Sequence, residues 1–368
     1  MPFDPTDRRQ SWLALSMLDG LGPAARRQLL DEFADPTEIL QADLLTLGRL
    51  GFSTRIQNAV HQYQRGDNPA LARIEHSLEW LQQTGCQLLT FDAPDYPALL
   101  REITDPPLVL FVQGNVALLG DPQIAMVGTR HPGPHGAATA RAFAQSFAES
   151  GLVVTSGMAL GIDGACHQGA LDADGHTIAV WGTGLAHCYP RRHLQLAEQI
   201  IASGGALVSE QPPQTGPHAG LFPLRNRIIS GLSLGTLVVE ASLNSGSLIT
   251  ARLAMEQNRE VFAMPGSIHN PQARGCHRLL RDGATLVETV QDVLGVLQVP
   301  LRTALAAAPS VPEPVQHPLW RWLSHDPVTA DWLAAASQLP VSQVLQGLME
   351  LELDGLVQQT PHGYSRLG

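Results

Sequence analysis

The chain has 368 residues, 44% of them hydrophobic, with 23 arginines and no lysine against 34 acidic residues, a formal net charge of −11. That length allows two to four domains with full cores, and the lack of a charged-then-apolar leader or a bilayer-length apolar run points to a cytoplasmic protein with no membrane partner. Without lysine a Walker A phosphate loop is excluded, and any polyanion must be held by guanidinium groups.

Residues 1–65 have helical periodicity and predict a small helical domain. Within it LDGLGPAARRQLL at 18–30 is similar to a helix-hairpin-helix, in which backbone amides of a Gly-rich turn meet a phosphate. A plain tight turn needing positive φ at Gly20 and Gly22 accounts for the same residues.

Residues 66–297 are expected to form one Rossmann-like domain. Its signal begins near 120, where short apolar runs alternate with Gly-rich loops and helical stretches. The predicted strands are IAMV (124–127), LVVT (152–155), TIAVW (177–181), ALVS (206–209), TLVV (236–239), EVFAM (260–264) and TLV (285–287). Such alternation predicts an α/β fold, a doubly wound parallel sheet with helices on both faces.

Residues 298–317 are rich in Pro and Ala and predict a linker. Residues 318–368 then suggest a winged helix: LWRWLS and TADWLAAASQL as helices, SQVLQGLMELELDG as a third helix ending at Gly355, and LVQQTPHGYSRL as a hairpin around His362 and Gly363.

Charge differs along this order. Residues 1–119 carry 9 Arg and 15 acids, residues 120–297 carry 11 and 13, and residues 298–368 carry 3 and 6. The middle segment, at 11 − 13 = −2, is nearest neutral and is where a phosphate chain is expected. The third tail helix holds Glu350, Glu352 and Asp354 without a cation, which argues against duplex DNA and for a protein contact.

In an open parallel sheet, ligands bind beyond the carboxyl ends of the strands. The loops there read GTRHPG (128–133), SGMALGIDG (156–164), GTG (182–184), SEQPP (209–213), EASLNSGS (240–247) and MPGS (264–267). Singly, each glycine is a turn residue. Six such loops on one edge, with Arg130, Arg191, Arg225 and Arg227, suggest a phosphate site.

GTRHPG lacks the GxGxxG spacing, which excludes a nicotinamide-dependent oxidoreductase of the usual kind. Ser247 lies outside a GxSxG elbow and suits a helix cap. Asp163, Glu210 and Glu240 are acid-base candidates that equally suit caps or arginine partners. Cys86, Cys166, Cys188 and Cys276 form no CxxC pair, and His167, His187 and His193 show no ligand spacing. No metal, disulfide or cofactor is expected.

Several long blocks in order, VGTR (127–130), SGMALGID (156–163), GTG followed by Tyr189-Pro190, SEQP (209–212), FPLRNRIISGLS, VVEASLNSGSLITA and VFAMPG (261–266), resemble the DprA/Smf family of DNA-processing proteins. The resemblance covers most of residues 85–297. It implies an extended Rossmann fold that binds single-stranded DNA, forms a homodimer, protects incoming strands in natural transformation and loads the RecA recombinase, with no known enzymatic step. Flanking sterile-alpha-motif or hairpin-type and winged-helix domains, which occur in some members, suit both ends. Ala186, Asn258 and His277 depart from residues common in the family, in local loops.

Carried over by position, Arg130 implies a backbone-phosphate contact and Arg191 a basic position, and Arg225 and Arg227 fall in the family's FPxRNR block. The expected DNA-binding set is Gly128, Thr129 and Arg130; Ser156, Gly157 and Gly161; Gly182, Thr183 and Gly184; Arg191; Phe222, Arg225, Asn226 and Arg227; and Asn244, Ser245, Gly246 and Ser247. Phe222 and Tyr189 supply faces for stacking bases, or core packing. The alternative is an enzyme: Gly235-Thr236 followed by Glu240 echoes the PGGxGTxxE motif of Rossmann-fold nucleotide phosphoribohydrolases, without its PGG and with one residue too many before the glutamate.

Overall fold

The computed structural model describes residues 4, 6–33, 35–307, 317–323, 327–354, 356–360 and 363–366, which fall into two compact units, 1–308 and 309–368. In the first unit the strands are β1 (Gln87–Thr90), β2 (Val109–Gly114), β3 (Gln123–Val127), β4 (Val153–Ser156), β5 (Thr177–Trp181), β6 (Ala206–Ser209), β7 (Gly235–Val238), β8 (Glu260–Ala263) and β9 (Thr285–Leu286). They form one sheet in the order β1-β2-β6-β5-β4-β3-β7-β8-β9. β3 to β9 run parallel to one another, whereas β2 pairs antiparallel with both β6 and β1.

The expected parallel sheet is therefore extended by two antiparallel edge strands. β1 and β2 escape the periodic reading because they precede the strand, Gly-rich loop and helix alternation. Chain order reverses between β3 and β7, a switch point that opens a crevice at their carboxyl ends.

Period-two alternation sends side chains to opposite faces, and both faces are covered. Ile124 and Met126 of β3 join Phe147, Ile162, Cys166, Val293 and Leu297 on one side. Ala125 and Val127 join Leu100, Ile228, Ala251 and Leu279 on the other. Burying a large aliphatic side chain contributes about 1.5–3 kcal/mol, so these two layers fix the sheet between its helices.

The helices before β1 pack as a third layer, where Trp12, Leu13, Ile56 and Ile74 share a cluster with Phe111, Trp181 and Leu207. Asp7, Asp35, Asp43 and Ser53 cap four of them with side-chain acceptors. The helical run continues beyond residue 65 through Leu71–Thr84.

The helix Val290–Ala307 occupies the first part of the segment read as a linker, and residues 308–316 lie outside the described ones. In the second unit, helices Ala330–Ser337 and Val341–Leu353 and the hairpin β10 (Val357–Thr360) and β11 (Gly363–Arg366) enclose their own core of Leu333, Val344, Leu348 and Val357. The stretch LWRWLS holds a short 3₁₀ turn, Trp320–Trp322, in place of the expected helix. Gly355 and His362 lie outside the described residues. Among the described residues no helix is long and apolar enough to cross a membrane.

Candidate nucleic-acid interface

The carboxyl ends of β3, β5 and β7 and the loops after them surround a groove of about 830 Å³. Its lining includes Gly128, Thr129 and Arg130 from the first loop, Tyr189 after β5, Phe222, Arg225 and Asn226 from the helix Leu221–Leu232, and Ser245, Gly246 and Ser247 before the helix Ser247–Glu256.

One wall is a stack of flat groups. The Tyr189 and Phe222 rings lie 5.4 Å apart at 37°, and the Arg130 guanidinium sits 5.9 Å from the Phe222 centroid. Gly182 permits this stack, because a Cβ there would come within 2.8 Å of the Phe222 ring. Arg130 is exposed and Tyr189 is 46% exposed, so the stack offers π faces and a fork of donors to a ligand.

The floor is different. Arg225 is buried, and its Nη1 donates to the carbonyl oxygens of Gly157, at 2.6 Å, and Val180. Burial pulls its pKa down to about 10, with Asp163 acting to raise it and Arg130 to lower it further. Asp163 accepts the amides of Gly157 and Ala159 at 3.2 Å each, and burial raises its pKa while Arg225 opposes the rise. Arg225 thus holds the floor in shape, and its Nε is buried without a partner.

The helix Ser247–Glu256 also begins at the groove, with no side-chain cap. The hydroxyls of Ser245 and Ser247 meet at 2.6 Å. Backbone amides, hydroxyls and the positive end of the helix dipole favour an anion there.

Arg227 does not join the groove. It donates from Nε to Asp105 at 3.0 Å and from Nη2 to Glu210 at 2.6 Å. Burial acts to lower its pKa, but the two carboxylates outweigh burial and hold it above the ordinary arginine value. The expectation of a second phosphate fork fails because positions 225 and 227 lie on opposite sides of their helix.

Other expected residues serve the protein's own packing. The Ser156 hydroxyl donates to the Met126 carbonyl, and that of Thr183 to the His187 carbonyl. Gly157 lies under the Arg225 guanidinium. Gly161, at φ +83°, lets its loop close against the Thr129 carbonyl, and Gly184 lies against the Pro212 carbonyl. Arg191 and Asn244 are exposed outside the lining.

The groove also contains residues the sequence reading did not single out. His131 follows Arg130 directly, and Thr250 sits one turn beyond Ser247 on the same helix face. Pro217 comes from a loop and Gln272 from the short 3₁₀ turn Pro271–Ala273, neither of which carries a local signal. Glu240 is absent from the lining: its carboxylate packs against Gly136, with Oε2 buried and unpartnered. Among the described residues no group of three His, Cys, Asp or Glu side chains is placed to hold a metal. The four cysteines are unbridged.

The family of DNA recombination-mediator protein A matches residues 87–298, and the DprA winged helix domain matches residues 303–363. Protein Smf of Escherichia coli (strain K12) is 45% identical over 306 residues, 80% of this chain and 81% of that protein. DNA processing protein DprA of Bacillus subtilis (strain 168) is 40% identical over 263 residues, 71% of this chain and 86% of the relative. The X-ray structure of DprA from Streptococcus pneumoniae aligns with a TM-score of 0.65 at 33% identity, covering 80% of this chain and 98% of that one. DNA processing protein A from Helicobacter pylori, whose structure was described for its single-stranded DNA binding mode, aligns at 0.52 and 30% identity over 58% of this chain and 97% of the other.

Proposed function

The chain belongs to the DNA recombination-mediator protein A (DprA/Smf) family, and from that premise we propose that it binds single-stranded DNA in the strand-end groove. The observation that carries this reading is the stack of Arg130, Phe222 and Tyr189 on one wall. Bases need π faces and a sequence-independent backbone needs cations, and both stand side by side here. A duplex keeps its bases paired and stacked inside, so it cannot use such a wall.

The role is protection of an incoming strand and its transfer to the RecA recombinase in the cytoplasm, by a homodimer, without a chemical step. Family membership supports transfer and dimerisation, and the absence of Glu240 from the groove lining, with its Oε2 buried, supports the non-enzymatic reading. The phosphoribohydrolase alternative would need that carboxylate beside the substrate.

A gel shift comparing one labelled strand with its matching duplex tests the binding. Clear preference for the single strand is expected; equal affinity for both contradicts the reading.

A further inference from the structure

We infer that Arg26, in the N-terminal helical layer, is a positioning residue for the DNA-binding helix, an inference that rests on the groove being the single-strand site. Arg26 lies on the helix Pro23–Glu32. Its Nη1 is 2.8 Å from Asp105 and 3.5 Å from Glu210, the two carboxylates that also bind Arg227. Asp105 precedes β2 and Glu210 follows β6. Two arginines and two acids from four separate segments thus form one neutral cluster, with side chains only 7–16% exposed.

The cluster bears on the groove through the helix Leu221–Leu232. That helix starts at Gly220 without a side-chain cap, so its two buried guanidiniums make its principal polar anchors. Arg225 ties one side to the ends of β4 and β5. Arg227 ties the other to Asp105 and Glu210. Phe222, Arg225 and Asn226 line the groove from between these ties.

Removing the Arg26 charge leaves two acids sharing one arginine in a nearly dry site. An uncompensated buried charge is relieved by moving toward water. Asp105 and Glu210 are the groups free to do so, and either movement releases Arg227 and with it the helix. The N-terminal layer, which touches no strand of DNA in this scheme, thereby sets the geometry of the groove.

The test uses the full chain. In Arg26→Gln, hydrogen exchange of the amides in 221–232 is expected to rise. Single-strand affinity, measured below the unfolding transition, is expected to fall about fivefold to tenfold, a size typical of coupling within one ion-pair network. The salt slope should not change, because Arg26 meets no phosphate. Adding Asp105→Asn rebalances the charge and is expected to restore both readouts.

Exchange that rises only within 8–65, with affinity equal to wild type, would overturn the inference, as would a loss that Asp105→Asn leaves uncorrected. If Arg26→Gln does not fold, Arg26→Lys, which keeps the charge but loses the guanidinium that reaches both Asp105 and Glu210, carries the test with the same readouts. A wild-type protein that binds no single strand would remove the groove reading itself, whereas a binding wild type matched by Arg26→Gln removes only the positioning role.

Discussion

Arg225 and Arg227 stand two residues apart on one helix, and where Arg225 faces the groove floor, Arg227 turns away into Asp105 and Glu210. A helix turns about 100° per residue, so a pair that reads as a double fork in sequence is split between two sites in space.

Loss of Arg227 should therefore be a stability defect. Breaking a buried pair by removing one partner costs about 3–5 kcal/mol. Arg227→Ala is expected to lower the urea midpoint correspondingly, with Asp105 and Glu210 left to share Arg26 alone. Denaturant titration checks this, and a midpoint within error of wild type would contradict the burial argument.

Arg130→Ala should behave in the opposite way. Arg130 is exposed and stacked on Phe222, so the variant should fold normally. Its single-strand affinity should fall about tenfold, since a hydrogen bond to a charged group contributes about 1.5 kcal/mol or more. Each lost phosphate contact on a single strand flattens the log-log salt slope by about 0.7. Anisotropy titrations at several salt concentrations read both effects.

His167 should govern part of the acid sensitivity. It is fully buried, with Nδ1 2.7 Å from the Thr177 hydroxyl. That hydroxyl gives its own proton to the Val154 carbonyl, so Nδ1 carries a hydrogen and donates it. Burial, with His193 and Arg225 nearby, lowers the pKa from 6.5 to about 3. Between those values the unfolded chain binds a proton that the native one does not, so stability must fall as pH drops from 6.5 toward 3. Above pH 6.5 the group contributes nothing to the pH dependence. His167→Gln, whose amide can still donate to Thr177, is expected to flatten the stability profile between pH 6.5 and pH 4, measured by urea midpoints; an unchanged profile would contradict it.

Much of the central sheet was legible because its strands from β3 to β9 are short apolar runs, most of them followed by a Gly-rich loop and a helical stretch. β1 and β2 precede that alternation, and their antiparallel pairing is a tertiary outcome. The groove was legible at Arg130 and Phe222 as residue types in family blocks. The burial of Arg227 was not, since Asp105 lies outside every motif, and Glu210, although it stands in the SEQP block and suits an arginine partner, is 17 residues from Arg227 with nothing in the sequence to pair them. The loop glycines were read as making room for phosphate, yet Gly157, Gly161, Gly182 and Gly184 make room for the protein's own groups. A glycine string reports a close approach without saying what approaches.

The second unit should be dispensable for the strand. Glu350, Glu352 and Asp354 are exposed on and just after the helix Val341–Leu353. Of the arginines among its described residues, Arg321 and Arg366 lie against Trp322 and Trp320. An acidic surface repels phosphate. Ending the chain at residue 308 is expected to keep single-strand affinity within about threefold, well under the tenfold that 1.4 kcal/mol represents. A larger loss in the truncated protein would move part of the DNA site into residues 309–368.

Photocrosslinking of the full protein to a single strand carrying 5-iodouracil, followed by peptide mapping, tests the groove most directly. Stacked aromatic residues capture the photolysed base, so the crosslinks are expected at Tyr189 and Phe222, and Arg130→Ala should weaken them. Crosslinks confined to residues 8–84 or 317–366, with none at Tyr189 or Phe222, would contradict the placement of the single strand in the strand-end groove.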